Sequence, residues 1–134
     1  MHNQEWYKRT CRELRMYRIY KKRLEFLMFK MGKAACPASK LVATYGEHIR
    51  GFDSDISDDV ELARIELICK GIELAFETLS DVEKTLLTQK FFYGLPDHVV
   101  SSEIQRAKAT FYEMKDRAVR KVAMCLGYLK IDCV

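Results

Sequence analysis

Residues 79–123 read LSDVEKTLLTQKFFYGLPDHVVSSEIQRAKATFYEMKDRAVRKVA, and this stretch decides the fold. Ser80 followed three residues later by Glu83 makes a capping box. The hydroxyl accepts from the Glu83 N–H, and the carboxylate accepts from the Ser80 N–H. Asp81 adds negative charge where the helix dipole favours it. The helix so opened presents Val82, Leu86, Leu87 and Phe91. It is expected to stop at Gly94, which suits the left-handed position after a helix end. Pro96 fits at or near the first turn of the next, short helix, where a missing N–H costs nothing. Val99, Val100 and Ile104 supply its buried side, and Gln105 to Ala107 form a turn.

A final helix is then expected over 108–129. Phe111, Met114, Ala118, Val122 and Cys125 fall at steps of three or four and should pack inward. Lys108, Tyr112, Glu113, Lys115 and Asp116 are expected on outer faces near its start, with Arg117, Arg120 and Lys121 further on. Helix, tight turn and basic helix in this order suit a helix-turn-helix, which places its last helix in the major groove of DNA. The first residues of such a helix meet base edges, while flanking basic groups meet phosphates.

Upstream of this stretch, residues 3–31 are expected to form an amphipathic helix. Leu14, Tyr17, Leu24, Leu27 and Met31 lie along one side, with Tyr20 or Lys21 filling the intervening step. Lys8, Arg9, Arg12, Arg15, Arg18, Lys21, Lys22 and Arg23 occupy the other faces. Gly32 ends the helix, and Pro37, Gly46 and Gly51 mark residues 32–55 as a linker or irregular arm. A further helix runs from about Ser57 towards Thr78, with Val60, Ala63, Leu67, Leu74 and Phe76 among its apolar positions. Gly71 weakens that helix by about 1 kcal/mol relative to Ala. The domain expectation is therefore a basic helix over 1–31, an arm over 32–55 and a helical domain over 56–134, with the helix-turn-helix at about 80–129. The fold class is all-α: no sustained Val/Ile/Thr alternation competes with the helical period, and the chain has only two prolines.

The net charge of +4 hides a strong pattern. Residues 1–50 hold 12 Lys/Arg against 4 Asp/Glu, residues 51–100 hold 4 against 11, and residues 101–134 hold 7 against 4. Basic ends attract phosphate through counterion release, so each end is a candidate nucleic-acid surface. The acidic middle is expected to face solvent or a protein. The five cysteines are scattered without a CxxC pair, which suits reduced thiols in a cytoplasm. No segment approaches the roughly 20 apolar residues that span a bilayer, so the expectation is a protein of the bacterial cytoplasm with no membrane partner.

Enzyme signatures are missing: there is no Gly-rich phosphate loop, HExxH or GxSxG. Asp53, Asp55, Asp58 and Asp59 lack the spacing of a calcium loop and read as helix N-terminal charge. Cys36 and His48 could act as nucleophile and base only if folding brought them together. The expectation is a non-enzyme without metal or cofactor.

Residues 79–118 resemble region 4 of sigma-70-type factors: Leu79-Ser80 and the helix behind it, Tyr93-Gly94-Leu95, then Val100, Ile104, Thr110, Phe111 and Ala118 at matching offsets from Gly94. A closer resemblance is to the ArpU/RinA-like family of phage late-transcription regulators from Gram-positive bacteria, whose proteins typically end in Thr-Phe-Tyr-x-Leu-Lys-x-Arg-Ala. Here that pattern stands as Thr110-Phe111-Tyr112-Glu113-Met114-Lys115-Asp116-Arg117-Ala118. At the turn, where the family has Gly followed by Ile or Val, this chain has Gln105 and Arg106. Burying Arg106 would be very costly. Either the turn is rearranged with Arg106 reaching a phosphate, or DNA binding has weakened.

The resemblance implies an activator that binds double-stranded promoter DNA upstream of late genes and works with host RNA polymerase. The DNA-contacting residues would be Arg106, Lys108, Thr110, Tyr112, Glu113, Lys115 and Arg117. A minimal sigma-like factor and a protein-interaction adaptor that no longer touches DNA are the alternatives. The N-terminal helix could pack on the domain, touch DNA backbone or form a homodimer.

Overall fold

The computed structural model describes residues 4–32 and 56–131, and all regular structure among them is helical. The protein is all-α. Five helices follow in order: α1 (Glu5–Lys30), α2 (Ile56–Phe76), α3 (Asp81–Leu87), α4 (Asp97–Glu103) and α5 (Lys108–Leu126). The arm expected at 32–55 lies outside the described residues apart from Gly32, as do Asp53, Asp55, Cys36 and His48.

The chain divides into two compact units, one made of Met1–Tyr17 and Lys70–Val134, the other of Arg18–Cys69. In the first unit, α3 begins at the expected capping box. Ser80 Oγ accepts from the Glu83 N–H at 3.2 Å, and Glu83 Oε1 accepts from the Ser80 N–H at 2.9 Å. Leu86 and Leu87 are fully buried. Beyond Leu87 the helix widens into one π turn over Thr88–Phe92, closed by a bond from the Tyr93 N–H to the Thr88 carbonyl at 3.0 Å. Gly94 then takes φ +71° and the helix stops. The widened turn leaves Phe91 buried and lets Phe92 stack between two other rings, Tyr17 of α1 at 5.0 Å and Phe76 of α2 at 5.5 Å.

Helix α5 packs against both α3 and α4. It ends earlier than 129, at Gly127, whose φ of +81° closes the helix. The N–H groups of Gly127 and Tyr128 return to the carbonyls of Met124 and Ala123, which satisfies the last turn. Gly71 has a packing role that helix propensity hides. A Cβ there would lie 2.7 Å from Leu126 Cδ2, so its absence leaves room for that side chain, while the nearest backbone atom of α5, the Cys125 carbonyl oxygen, would be at 3.7 Å.

The first three turns of α1 belong to this unit, held by buried Tyr7, Cys11 and Leu14. Thr10 and Glu13 are also buried. Thr10 Oγ1 donates to the Trp6 carbonyl at 2.6 Å, and Glu13 Oε2 accepts from the Tyr128 hydroxyl at 2.9 Å. Burial and then Glu13 raise the Tyr128 phenol above its ordinary range, so it remains a donor.

In the second unit, Leu24 and Leu27 of α1 and Leu62, Ile65 and Ile68 of α2 are buried. Arg23 grips Glu61 through two bonds, at 2.9 and 3.1 Å, and Lys30 meets Asp58 at 2.8 Å. The inward face of α2 is not built from several of the apolar residues that stand out in its sequence: Val60, Ala63 and Leu67 face solvent.

Three carboxylates make folding sensitive to acid. Glu61 is held below its ordinary range by the Arg23 hydrogen bonds. For Glu83, burial pushes the value up, but the Ser80 amide and Lys121 outweigh it and the net direction is down. Asp97 behaves likewise, with Lys90 and Lys115 overcoming burial. A carboxylate with a lowered folded-state pKa stabilises the protein above its unfolded value of about 4 and loses that contribution as pH falls through the folded value. The thermal unfolding midpoint should therefore fall steadily from pH 5 downwards, and Glu83→Gln should flatten that fall. A midpoint constant down to pH 3 would contradict the assignment.

Candidate nucleic-acid interface

Helix α4, the turn and α5 stand where the sequence places them. Pro96 caps α4 with its carbonyl, which accepts from the N–H groups of Val99 and Val100 at 3.1 Å. Val100 is fully buried, while Val99 and Ile104 are half-buried. Gln105 is the one described non-glycine residue with a left-handed backbone, at φ +57°. The N–H groups of Gln105 and Arg106 return to the carbonyls of Ser102 and Ser101, both at 3.1 Å. Gln105 thus does the conformational work that glycine normally does after a helix, at a cost of order 1 kcal/mol. Arg106 is exposed. Its guanidinium donates to the carbonyls of Ile104 and Gln105 at 3.1 and 3.4 Å, so this turn keeps the charge out of the core.

Phe111, Ala118 and Val122 of α5 point inward as expected, joined by Val119 and Ala123. Met114 is only half-buried. Cys125 is exposed, a correction to its expected inward place: Leu126, one position on, takes the close approach to Gly71. The solvent side carries Lys108, Ala109, Thr110, Glu113, Arg117 and Arg120. No side chain caps the start of α5. Its first N–H groups and the positive end of its dipole are therefore left to solvent or to an anion.

Of the seven residues assigned to DNA, Arg106, Lys108, Thr110, Glu113 and Arg117 are exposed. Tyr112 is half-buried with its ring edge-on to Phe111 at 5.4 Å, and it lines a cleft of about 490 Å³ with His98, Ser101 and Lys108. Lys115 corrects an expectation. Its side chain is only 12% exposed, and its ammonium lies 3.4 Å from Asp97, which also meets Lys90 at 2.8 Å. The carboxylate at the start of α4 pulls this lysine off the outer face. Asp116 turns away too, towards Tyr7, whose phenol is raised well above its ordinary range by burial first and by Cys11 and Asp116 after it. Lys121 meets Glu83 at 3.2 Å.

Two residues outside those seven adjoin this face. Arg120 extends the exposed row from Arg117, and Trp6 of α1 lies beside it, with the guanidinium 5.1 Å from the indole centre. Arg120 was legible from its three-residue step, but the pairing with Trp6, 114 positions earlier, was not. The exposed set is cationic overall: Arg106, Lys108, Arg117 and Arg120 against Glu113. Among the described residues no cluster of three or more His, Cys, Asp or Glu could hold a metal ion, and no helix is long and apolar enough to cross a membrane.

No family model matches the chain, and no curated protein or solved structure matches it either.

Proposed function

We propose that this protein is a sequence-specific DNA-binding transcriptional regulator, a phage or prophage late-gene activator that works with host RNA polymerase in the bacterial cytoplasm. One observation carries the reading. The first three turns of α5, entered through a tight turn after α4, keep Lys108, Thr110, Glu113 and Arg117 in solvent while Phe111 and Ala118 hold the helix down. That arrangement offers donors and acceptors to base edges, with the exposed Arg106 and Arg120 at its borders for phosphates. The pattern Thr110 to Ala118, which resembles the end of ArpU/RinA-like regulators, supports the same reading and supplies the phage context.

The test is fluorescence anisotropy with promoter DNA from upstream of the neighbouring late operon, set against scrambled DNA over a salt series. A reader should prefer its own DNA by about 10³-fold or more and lose affinity steeply with salt. Equal binding to both DNAs, or none, would sink the proposal. A second reading, a protein-interaction adaptor, is favoured by one feature: Val60 and Leu67, seven residues apart on α2, are 61% and 75% exposed. Such an adaptor would bind DNA without preference and would be disabled by Leu67→Asp.

A further inference from the structure

The basic residues of α1 are not one undifferentiated charged face. In the unit that carries α5, Arg9 is taken up by Tyr128, its guanidinium 4.0 Å from the ring centre. Of the two acids on this part of α1, Glu13 is buried against Tyr128, and Glu5 sits in the first turn, where the helix dipole favours it. What remains is Lys8, Arg12 and Arg15, all exposed, at steps of four and three along one side. Among the described residues, none of the three has a carboxylate within ion-pairing distance. Arg15 is steadied by the Phe91 ring at 5.6 Å.

The row is carried by a firmly seated helix. Tyr7, Cys11 and Leu14 are buried beneath it, and Trp6 lies against Arg120 of α5. Three cations on one side of a seated helix repel each other, and among the described residues no carboxylate lies within ion-pairing distance of them, which disfavours the row as a device for stability. They suit a polyanion instead. From Lys8 to Arg15 the helix rises about 10 Å, over which one DNA strand passes about three phosphates. Two of the three are arginines, whose planar donors match phosphate oxygens.

We propose that Lys8, Arg12 and Arg15 form a second DNA contact, made to backbone phosphates and blind to sequence, which adds affinity to the selectivity supplied by α5. This rests on the DNA-binding reading above. The experiment compares the full chain with the triple variant Lys8→Gln, Arg12→Gln, Arg15→Gln on promoter and scrambled DNA over a salt series. The slope of log affinity against log salt should shrink by about 2.7 in magnitude, the counterion release of three phosphate contacts. Both DNAs should weaken by the same factor, leaving the preference between them unchanged.

A companion variant, Arg12→Lys with Arg15→Lys, keeps the charge and should keep the slope. If it loses the slope as the Gln variant does, packing rather than charge is at work and the proposal is overturned. If the parent discriminates between the DNAs but the Gln variant keeps its slope, the row is ordinary solvated surface and only the α5 reading survives. If the parent binds without preference and the slope still falls, the row stands and sequence-specific reading falls. Binding to neither DNA overturns both.

Discussion

Phe111→Ala is expected to lower the unfolding free energy by about 3–5 kcal/mol, a large share of the roughly 5–15 kcal/mol that holds a domain together. Phe111 is 1% exposed and sits one turn into α5, where that helix meets α4. Its ring lies beside Tyr112 and 5.8 Å below the Lys115 ammonium. Truncation removes the apolar burial and leaves a void where α4 and α5 are joined. It also withdraws the ring that helps to hold Lys115 near Asp97. Urea unfolding followed by helical circular dichroism gives the measurement. Leu67→Ala is the matched control, because that side chain is 75% exposed and its loss should stay within about 0.5 kcal/mol. A Phe111→Ala cost near that of the control would mean that α5 is not seated as described.

The second large effect falls on recognition. Arg117→Ala should reduce affinity for the preferred DNA by about 5- to 150-fold, the equivalent of about 1–3 kcal/mol for a lost base contact. Affinity for scrambled DNA should change far less. Arg117 is exposed and carries no part of the core, so the unfolding midpoint should not move. Thr110→Ala and Glu113→Ala probe the same face and should alter which base is preferred at their own positions. Lys115 makes a poor probe because its ammonium is engaged with Asp97, so a variant there would disturb folding and binding together. If Arg117, Thr110 and Glu113 can each be replaced with the preference intact, α5 does not read the DNA.

Much of the architecture is legible in the sequence because it is governed by local chemistry. The Ser80–Glu83 box involves two residues three apart, and the stops at Gly32 and Gly94 follow from backbone freedom at single positions, whereas the stop at Gly127, which ends α5 at Leu126, three residues before the expected end, was not foreseen. The inward set Phe111, Ala118 and Val122 follows from helical period alone. The same period failed on α2, where apolar residues occur on more than one face. Val60, Leu67 and Leu74 recur as regularly as Leu62, Ile65, Ile68 and Ile72, yet only the second set is buried. Periodicity identifies a helix but cannot choose between two apolar faces.

What the sequence by itself determined is the helical class, the Ser80–Glu83 cap, the stops at Gly32 and Gly94, and the place of the turn between α4 and α5, each set by residues within a few positions of one another. Only the tertiary structure decided which charges remain available. Asp97, 18 positions earlier, turns Lys115 inward, while Glu83, 38 positions earlier, occupies Lys121. Tyr128, 115 positions after Glu13, removes that acid from the surface of α1. An ionic group takes whichever partner folding brings within a few ångströms, and sequence separation carries no information about that distance.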